Sequence, residues 1–227
     1  MIPKETRAEI IRYCQRMDQK GWVANHDGNI TVRGGDGKLA ATPTARGKFD
    51  LVEEDLLELD DKGKKLAGTG SPFSELAVHL EIYGARKDVK AVVHAHPVSA
   101  TAVGCANQEM VTHAIPEAVV SLGPGVPLVG LALPGSELFQ KELRALLPHY
   151  DAILIAGNGA FAWGATLEQA FLRLELVEQL AAVFLASLPL GGPQLLSRSA
   201  TQDLLKKREG AGLARPADPA RPHWFGG

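Results

Sequence analysis

Val89-Lys90-Ala91-Val92-Val93-His94-Ala95-His96-Pro97 is the stretch on which the reading of this chain turns. The run 91–93 is short, β-branched and bounded by charge and proline, so it reads as a buried strand. Side chains two apart on a strand share a face, which puts His94 and His96 side by side. Two imidazoles at a strand end are the beginning of a metal site, because neutral imidazole is the commonest nitrogen ligand of zinc. Pro97 stops the strand and suits the start of a helix over 98–103. A lone His-x-His also reads as two polar caps at a strand end, and only the surrounding sequence separates the two readings.

Upstream, Ser71-Pro72 has the form of an N-cap followed by proline at the first helical position, for a helix reaching about residue 86. Leu76, Leu80 and Tyr83 make its expected buried stripe, with Glu75 and His79 together on another face. A carboxylate beside a metal serves as ligand or general base, whereas alone Glu75 is an ordinary solvated glutamate. Ile10, Ile11, Cys14 and Met17 recur at helical spacing and predict an amphipathic helix over 4–20, ended at Gly21. Turn-forming residues at 25–29 and 34–37 bracket a hairpin of 30–33 with 38–42. A loop covers 42–47, and 56–59 is a further strand turned at 60–63. The loops Gly28-Asn29, Thr42-Pro43-Thr44 and Ser71-Pro72-Phe73-Ser74 are small and polar, able to aim backbone N–H groups at an anion, although each alone is an unremarkable turn or cap.

Downstream, 123–127 reads as a loop, 126–131 as a strand, 135–147 as a helix and 152–156 as a buried strand. The turn Gly157-Asn158-Gly159 leads to a partner strand at 160–163. Thr166-Leu167-Glu168-Gln169 is a near capping box opening a helix to about 188. Beyond 190 the chain is rich in Gly, Pro and Arg, and 211–227, with Trp224 and Phe225, reads as a mobile tail. Without repeat or linker, the expectation is one domain over 1–190 and a partly mobile extension over 191–227, built as an α/β sandwich around a largely antiparallel sheet.

With 227 residues and 45% hydrophobic content, the chain suits one sizeable core. A formal net charge of -2 gives no reason to expect nucleic acid or a membrane surface as partner. No run approaches the ~18 apolar residues of a membrane span. The charged N-terminus lacks a signal-like apolar stretch, so a cytoplasmic location is expected. Cys14 and Cys105 fit reduced thiols rather than a disulfide framework.

Taken in order, Gly28-Asn29-Ile30-Thr31-Val32-Arg33, Thr42-Pro43-Thr44, Ser74-Glu75 with His79, and Ala91-Val92-Val93-His94-Ala95-His96-Pro97 resemble the successive signatures of the class II aldolase/adducin family, over roughly residues 5–190. The resemblance implies a three-layer α/β/α sandwich with a central mainly antiparallel sheet. It also implies one divalent metal per chain, usually Zn2+, and often a homotetramer with active sites at subunit contacts. By position, His94 and His96 match two of three metal-binding histidines, and Glu75 matches the acid/base carboxylate. Gly28, Asn29, Thr44 and Ser74 fall in the loops that hold a substrate phosphate. The implied activity is aldolase-type cleavage or formation of a C–C bond in a small hydroxyketone or sugar phosphate, through a metal-stabilised enediolate.

The chain also departs from the pattern. Asn158 stands where the family carries its third histidine, and an amide oxygen is a weaker zinc ligand than imidazole. Ala45 replaces a glycine and Phe73 a serine of the phosphate loops. His113-Ala114 lies where the aldolases carry a tyrosine; His113 is a candidate substitute, and His26 is a second unassigned loop histidine. These changes keep two other readings in view: a non-catalytic, adducin-like interaction module, and a related epimerase or decarboxylase.

Overall fold

The computed structural model describes residues 2–130 and 136–213. In chain order the elements are α1 (Lys4–Gln19), β1 (Asn29–Arg33), β2 (Leu39–Ala41), β3 (Leu57–Leu59), β4 (Lys65–Ala67), α2 (Leu76–Ala85) and β5 (Ala91–Ala95). There follow α3 (Val98–Cys105), β6 (Met110–Val111), α4 (Pro116–Leu122), β7 (Gly125–Val126) and β8 (Leu128–Val129). The last are α5 (Glu137–Leu146), β9 (Ala152–Ile155), β10 (Ala160–Gly164), α6 (Leu167–Ser187) and α7 (Arg198–Gly210). The chain is of the α/β class expected, with a mixed sheet that is mainly antiparallel. It divides into two compact units, residues 1–98 with 161–172 and residues 99–160 with 173–227.

In the first unit the strands run in the order β4-β3-β2-β1-β5-β10, and every pair from β4 to β5 is antiparallel. All five residues of β5 are buried, which is why its first three, Ala91, Val92 and Val93, form an apolar run and do not alternate with polar residues. Against this sheet α1 buries Ile10, Tyr13, Cys14 and Met17, one stripe at helical spacing. Tyr13 and Trp22 both pack on Phe171, with ring centroids 4.7 and 5.5 Å away. Aromatic pairs at this range add to the area they bury.

Two expectations for α2 are corrected. Ser71-Pro72 does not open the helix, which begins at Leu76 with Glu75 at the N-cap position. The carbonyl of Ser71 instead accepts a hydrogen bond from the Thr44 amide at 2.9 Å, so the segment is tied to the neighbouring loop. The buried face also differs: Leu76, Val78, His79, Ile82 and Tyr83 are buried, while Leu80 is only half-buried. His79 therefore faces the core, where its Nδ1 lies 2.8 Å from the Thr31 hydroxyl, itself 2.9 Å from the Tyr83 hydroxyl.

The second unit contains a parallel pair, β8 with β9, and the antiparallel pair β6 with β7. The strand expected over 126–131 is two short ones broken at Pro127, and Leu131 lies outside the described residues. The helix expected from 135 begins at Glu137, after a Ser136 cap whose hydroxyl accepts from the Phe139 amide; Gly135 also lies outside the described residues. Ala118, Val119, Leu122, Leu143, Leu147, Ile153, Leu154, Leu174 and Val177 line its core.

Helix α7 is not anticipated by the sequence reading. Ser197 caps it by accepting from the Ala200 amide, and Arg208 near its end is 1% exposed. The Arg208 guanidinium donates to the carbonyls of Val120 and Ser121 at the end of α4 and lies 2.8 Å from Asp151 Oδ2. Arg173 reaches the same oxygen at 2.8 Å. Trp224 and Phe225 lie outside the described residues. Cys14 and Cys105 are free thiols, and no described helix is long and apolar enough to cross a membrane.

Candidate active site

The site grows out of the β1–β5 ladder. Asn29 pairs with His94 in that register, and residues directly opposite in an antiparallel pair project to the same face. His94 is 1% exposed and its ring stacks on Phe161, with centroids 3.9 Å apart and planes at 14°. His96 lies one residue past the strand, held by its backbone N–H donating to the Trp22 carbonyl at 2.9 Å. The two Nε2 atoms are 3.3 Å apart.

That separation has a direct chemical meaning. Two nitrogens bound at 2.0–2.1 Å to one tetrahedral ion lie about 3.4 Å from each other. The imidazoles therefore already present the bite of a zinc-type ion, and the donor pair fits a divalent metal. Ligation by Nε2 needs the ring proton on Nδ1, and Asp27 Oδ2 stands 3.8 Å from His96 Nδ1, where its charge favours that tautomer. Among the described residues, no three His, Cys, Asp or Glu side chains gather as a complete metal-binding group.

Glu75 is the half-buried carboxylate of the site. Its Oε2 accepts from the Ser74 hydroxyl at 2.9 Å and, over a long 3.4 Å, from the Asn29 amide nitrogen. Both donors hold one oxygen, and Oε1 takes no hydrogen bond from any described residue. This is the arrangement a proton-transfer group needs, one oxygen to set orientation and the other available. Asn29 Oδ1 is likewise buried without a partner, an acceptor a ligand hydroxyl can satisfy.

Gly28 cannot be replaced by a larger residue here. Its φ is +74°, and a Cβ would come within 2.5 Å of Val23 Cγ1 and 3.1 Å of the His94 carbonyl oxygen. Thr44 is exposed beside the Ser71 carbonyl it bonds, so the loops at 44 and 71–74 are joined by backbone. Ala45, in the glycine position of the resemblance, holds φ +57°. Phe73 turns inward, 7% exposed, with its ring edge-on to His79 at 5.0 Å, so its bulk fills core.

In the first unit, then, the fold brings together His94 with His96, and Glu75 with Asn29 and Ser74; Gly28 backs His94. Asn158 belongs to the second unit, half-buried between two positive-φ glycines, its backbone N–H donating to the Ile155 carbonyl at 2.9 Å. His113 is also in the second unit, 4% exposed, with burial pushing its pKa down. His26 has an exposed side chain. Sequence reasoning passed over Asp27, Phe161 and Lys48. Asp27 reads as a turn former and Phe161 as strand core, and no local signal marks Lys48 as buried.

The family model for the class II aldolase and adducin N-terminal domain matches residues 8–185. The chain is 27% identical over 213 residues to 5-deoxy-D-ribulose 1-phosphate aldolase of Bacillus thuringiensis serovar kurstaki, covering 93% of this chain and 99% of that one. It is 30% identical to 3-oxo-tetronate 4-phosphate decarboxylase of Pectobacterium atrosepticum, covering 78% and 83%. Identity is 31% to methylthioribulose-1-phosphate dehydratase of Granulibacter bethesdensis, covering 79% and 91%. Among solved structures, YgbL of Escherichia coli superposes with a TM-score of 0.81 at 27% identity, covering 88% of this chain and 97% of that one.

Proposed function

Because this chain belongs to the class II aldolase and adducin family, whose matched relatives are aldolases, decarboxylases and dehydratases, we propose that it is a metal-dependent lyase of the aldolase type. The substrate proposed is a phosphooxymethyl ketone. The substrates named for the three relatives differ in the bond broken, yet each carries a phosphate on the carbon next to a ketone.

His94 and His96 are the proposed ligands of one divalent ion, Zn2+ in this reading, with Asn158 in the third position given by the resemblance. When bound, the ion supplies a Lewis acid for the ketone and hydroxyl oxygens of the substrate. Glu75, oriented through Oε2, uses Oε1 to move the proton on the carbon beside the ketone. In cleavage Glu75 takes the proton of the hydroxyl that becomes the aldehyde oxygen, the bonding pair moves toward the ketone to leave an enediolate and an aldehyde, and Glu75 delivers that proton to the enediolate carbon. Gly28, Asn29, Thr44 and Ser74 line the proposed phosphate site. The proposed assembly is a homotetramer.

The observation that carries the reading is the 3.3 Å Nε2 pair of His94 and His96 at the end of a buried strand. Elemental analysis of the wild type and His94→Ala, followed by turnover on phosphooxymethyl ketones, tests it. Near one divalent ion per wild-type chain, absent in the variant, with aldehyde released on turnover, is the expected result. Carbon dioxide released from a keto acid phosphate, without aldehyde, would assign the decarboxylase reading instead. Neither ion uptake from added zinc nor turnover would leave an adducin-like interaction module.

A further inference from the structure

Lys48 lies in the loop that follows β2, and its side chain is almost wholly buried, 2% exposed. Its Nζ donates to the carbonyl of His26 at 3.0 Å and to that of Arg46 at 3.0 Å. His26 stands two residues before Gly28, and Arg46 two residues after Thr44, so one ammonium joins the two loops by their backbones. An ammonium has three N–H donors, and the third meets no acceptor among the described residues. No described carboxylate lies within ion-pair distance of it either. Burial pushes its pKa down, and the carboxylates of Asp27 and Glu75 act from a distance to favour the charge.

A buried ammonium without an ion pair is a poor stabilising device, because desolvation costs several kcal/mol and neutral carbonyls return only part of it. An apolar side chain would serve the packing better. What the lysine adds is charge, placed behind the turn that carries Gly28 and Asn29 and the loop that carries Thr44.

We infer that Lys48 is a positioning residue for an anionic substrate group, a phosphate monoester: it clasps the two loops through His26 and Arg46 and sets a buried positive charge behind them. The inference rests on reading those loops as the anion site. It deepens the proposed function by making the phosphate a requirement of this chain's own electrostatics, in which lysine acts as a point charge.

Calorimetric binding of phosphoglycolate and glycolate to the zinc-loaded protein tests this, since the two acids differ only in the phosphate. Wild type is expected to prefer phosphoglycolate. Lys48→Met is expected to lose about 10-fold or more of that preference, with glycolate affinity changed less than about 2-fold, while Lys48→Arg keeps most of it. Lys48→Gln is a second neutral variant, and thermal melting identifies any variant that no longer folds. A preference unchanged in both neutral variants, an equal weakening of both acids, or loss of preference in Lys48→Arg would overturn the inference. Binding needs no turnover: a chain that selects phosphoglycolate through Lys48 but cleaves nothing removes the lyase reading alone.

Discussion

Asn29 faces His94 across the β1–β5 ladder, and its amide nitrogen reaches Glu75 Oε2 at 3.4 Å. One side chain thus lies between an imidazole and the carboxylate, with its own carbonyl oxygen still unpartnered. Glu75→Gln is expected to cut turnover by about 10²–10⁴-fold with metal content unchanged, since it removes the proton carrier and keeps the shape. Asn29→Ala is expected to lower kcat/KM by about 10–100-fold, the loss of one or two hydrogen bonds. Steady-state kinetics with parallel elemental analysis reads both.

Asn158→His restores the third imidazole of the family pattern. Zinc affinity is expected to rise by at least about 10-fold, because imidazole is a better zinc ligand than an amide oxygen. Competition with a chromophoric chelator measures it, and unchanged affinity would remove Asn158 from the proposed ligand set.

Ala45 occupies the left-handed region, φ +57°, at a cost of about 1–2 kcal/mol relative to a residue without Cβ. Part of that is returned as extra entropy loss by glycine on folding, about 0.5–1 kcal/mol. Ala45→Gly should therefore stabilise the chain by roughly 0.5–1 kcal/mol, read as a higher urea midpoint at constant slope.

His79 is wholly buried, and burial pushes its pKa down from 6.5 to about 3. The folded chain keeps this imidazole neutral while the unfolded chain protonates it, so its contribution is complete above about pH 6.5 and is lost as pH falls toward 3. The slope is about 1.4 kcal/mol per pH unit, hence about 2 kcal/mol lost between pH 6.5 and 5. Urea titrations at the two pH values should show that loss in wild type and a smaller one in His79→Asn.

Asp151 is fully buried and shares one oxygen with Arg173 and Arg208. Removing one member of a buried ion pair typically costs about 3–5 kcal/mol. Asp151→Asn leaves two buried guanidinium groups without their carboxylate, whereas Arg208→Met leaves Asp151 still paired with Arg173. Asp151→Asn should therefore be the more damaging of the two in chemical denaturation.

What the sequence makes legible is whatever its local pattern encodes. The strand that carries His94 and ends just before His96 is readable because β-branched burial and a proline stop lie within nine residues, and Glu75 because it belongs to an ordered set of motifs. Helix α1 is readable from four apolar residues at helical spacing. By contrast, α7 follows Gly191-Gly192-Pro193 and offers few apolar residues; its anchor is Arg208 against Asp151, a partner 57 positions away. Ser71-Pro72 has the chemistry of a cap, but the Thr44 amide takes its carbonyl first. Lys48 reads as a loop lysine because its burial depends on the carbonyl of His26, 22 residues earlier.

That 57-residue separation has a consequence during translation. At roughly 5–20 residues per second, the ribosome adds Arg208 about 3–11 s after Asp151. Throughout that interval the carbonyls of Val120 and Ser121 lack the guanidinium that meets them in the fold, and Asp151 lacks Arg208. The second unit is thus a late-finishing part of the nascent chain, and α7 is the segment whose arrival completes it.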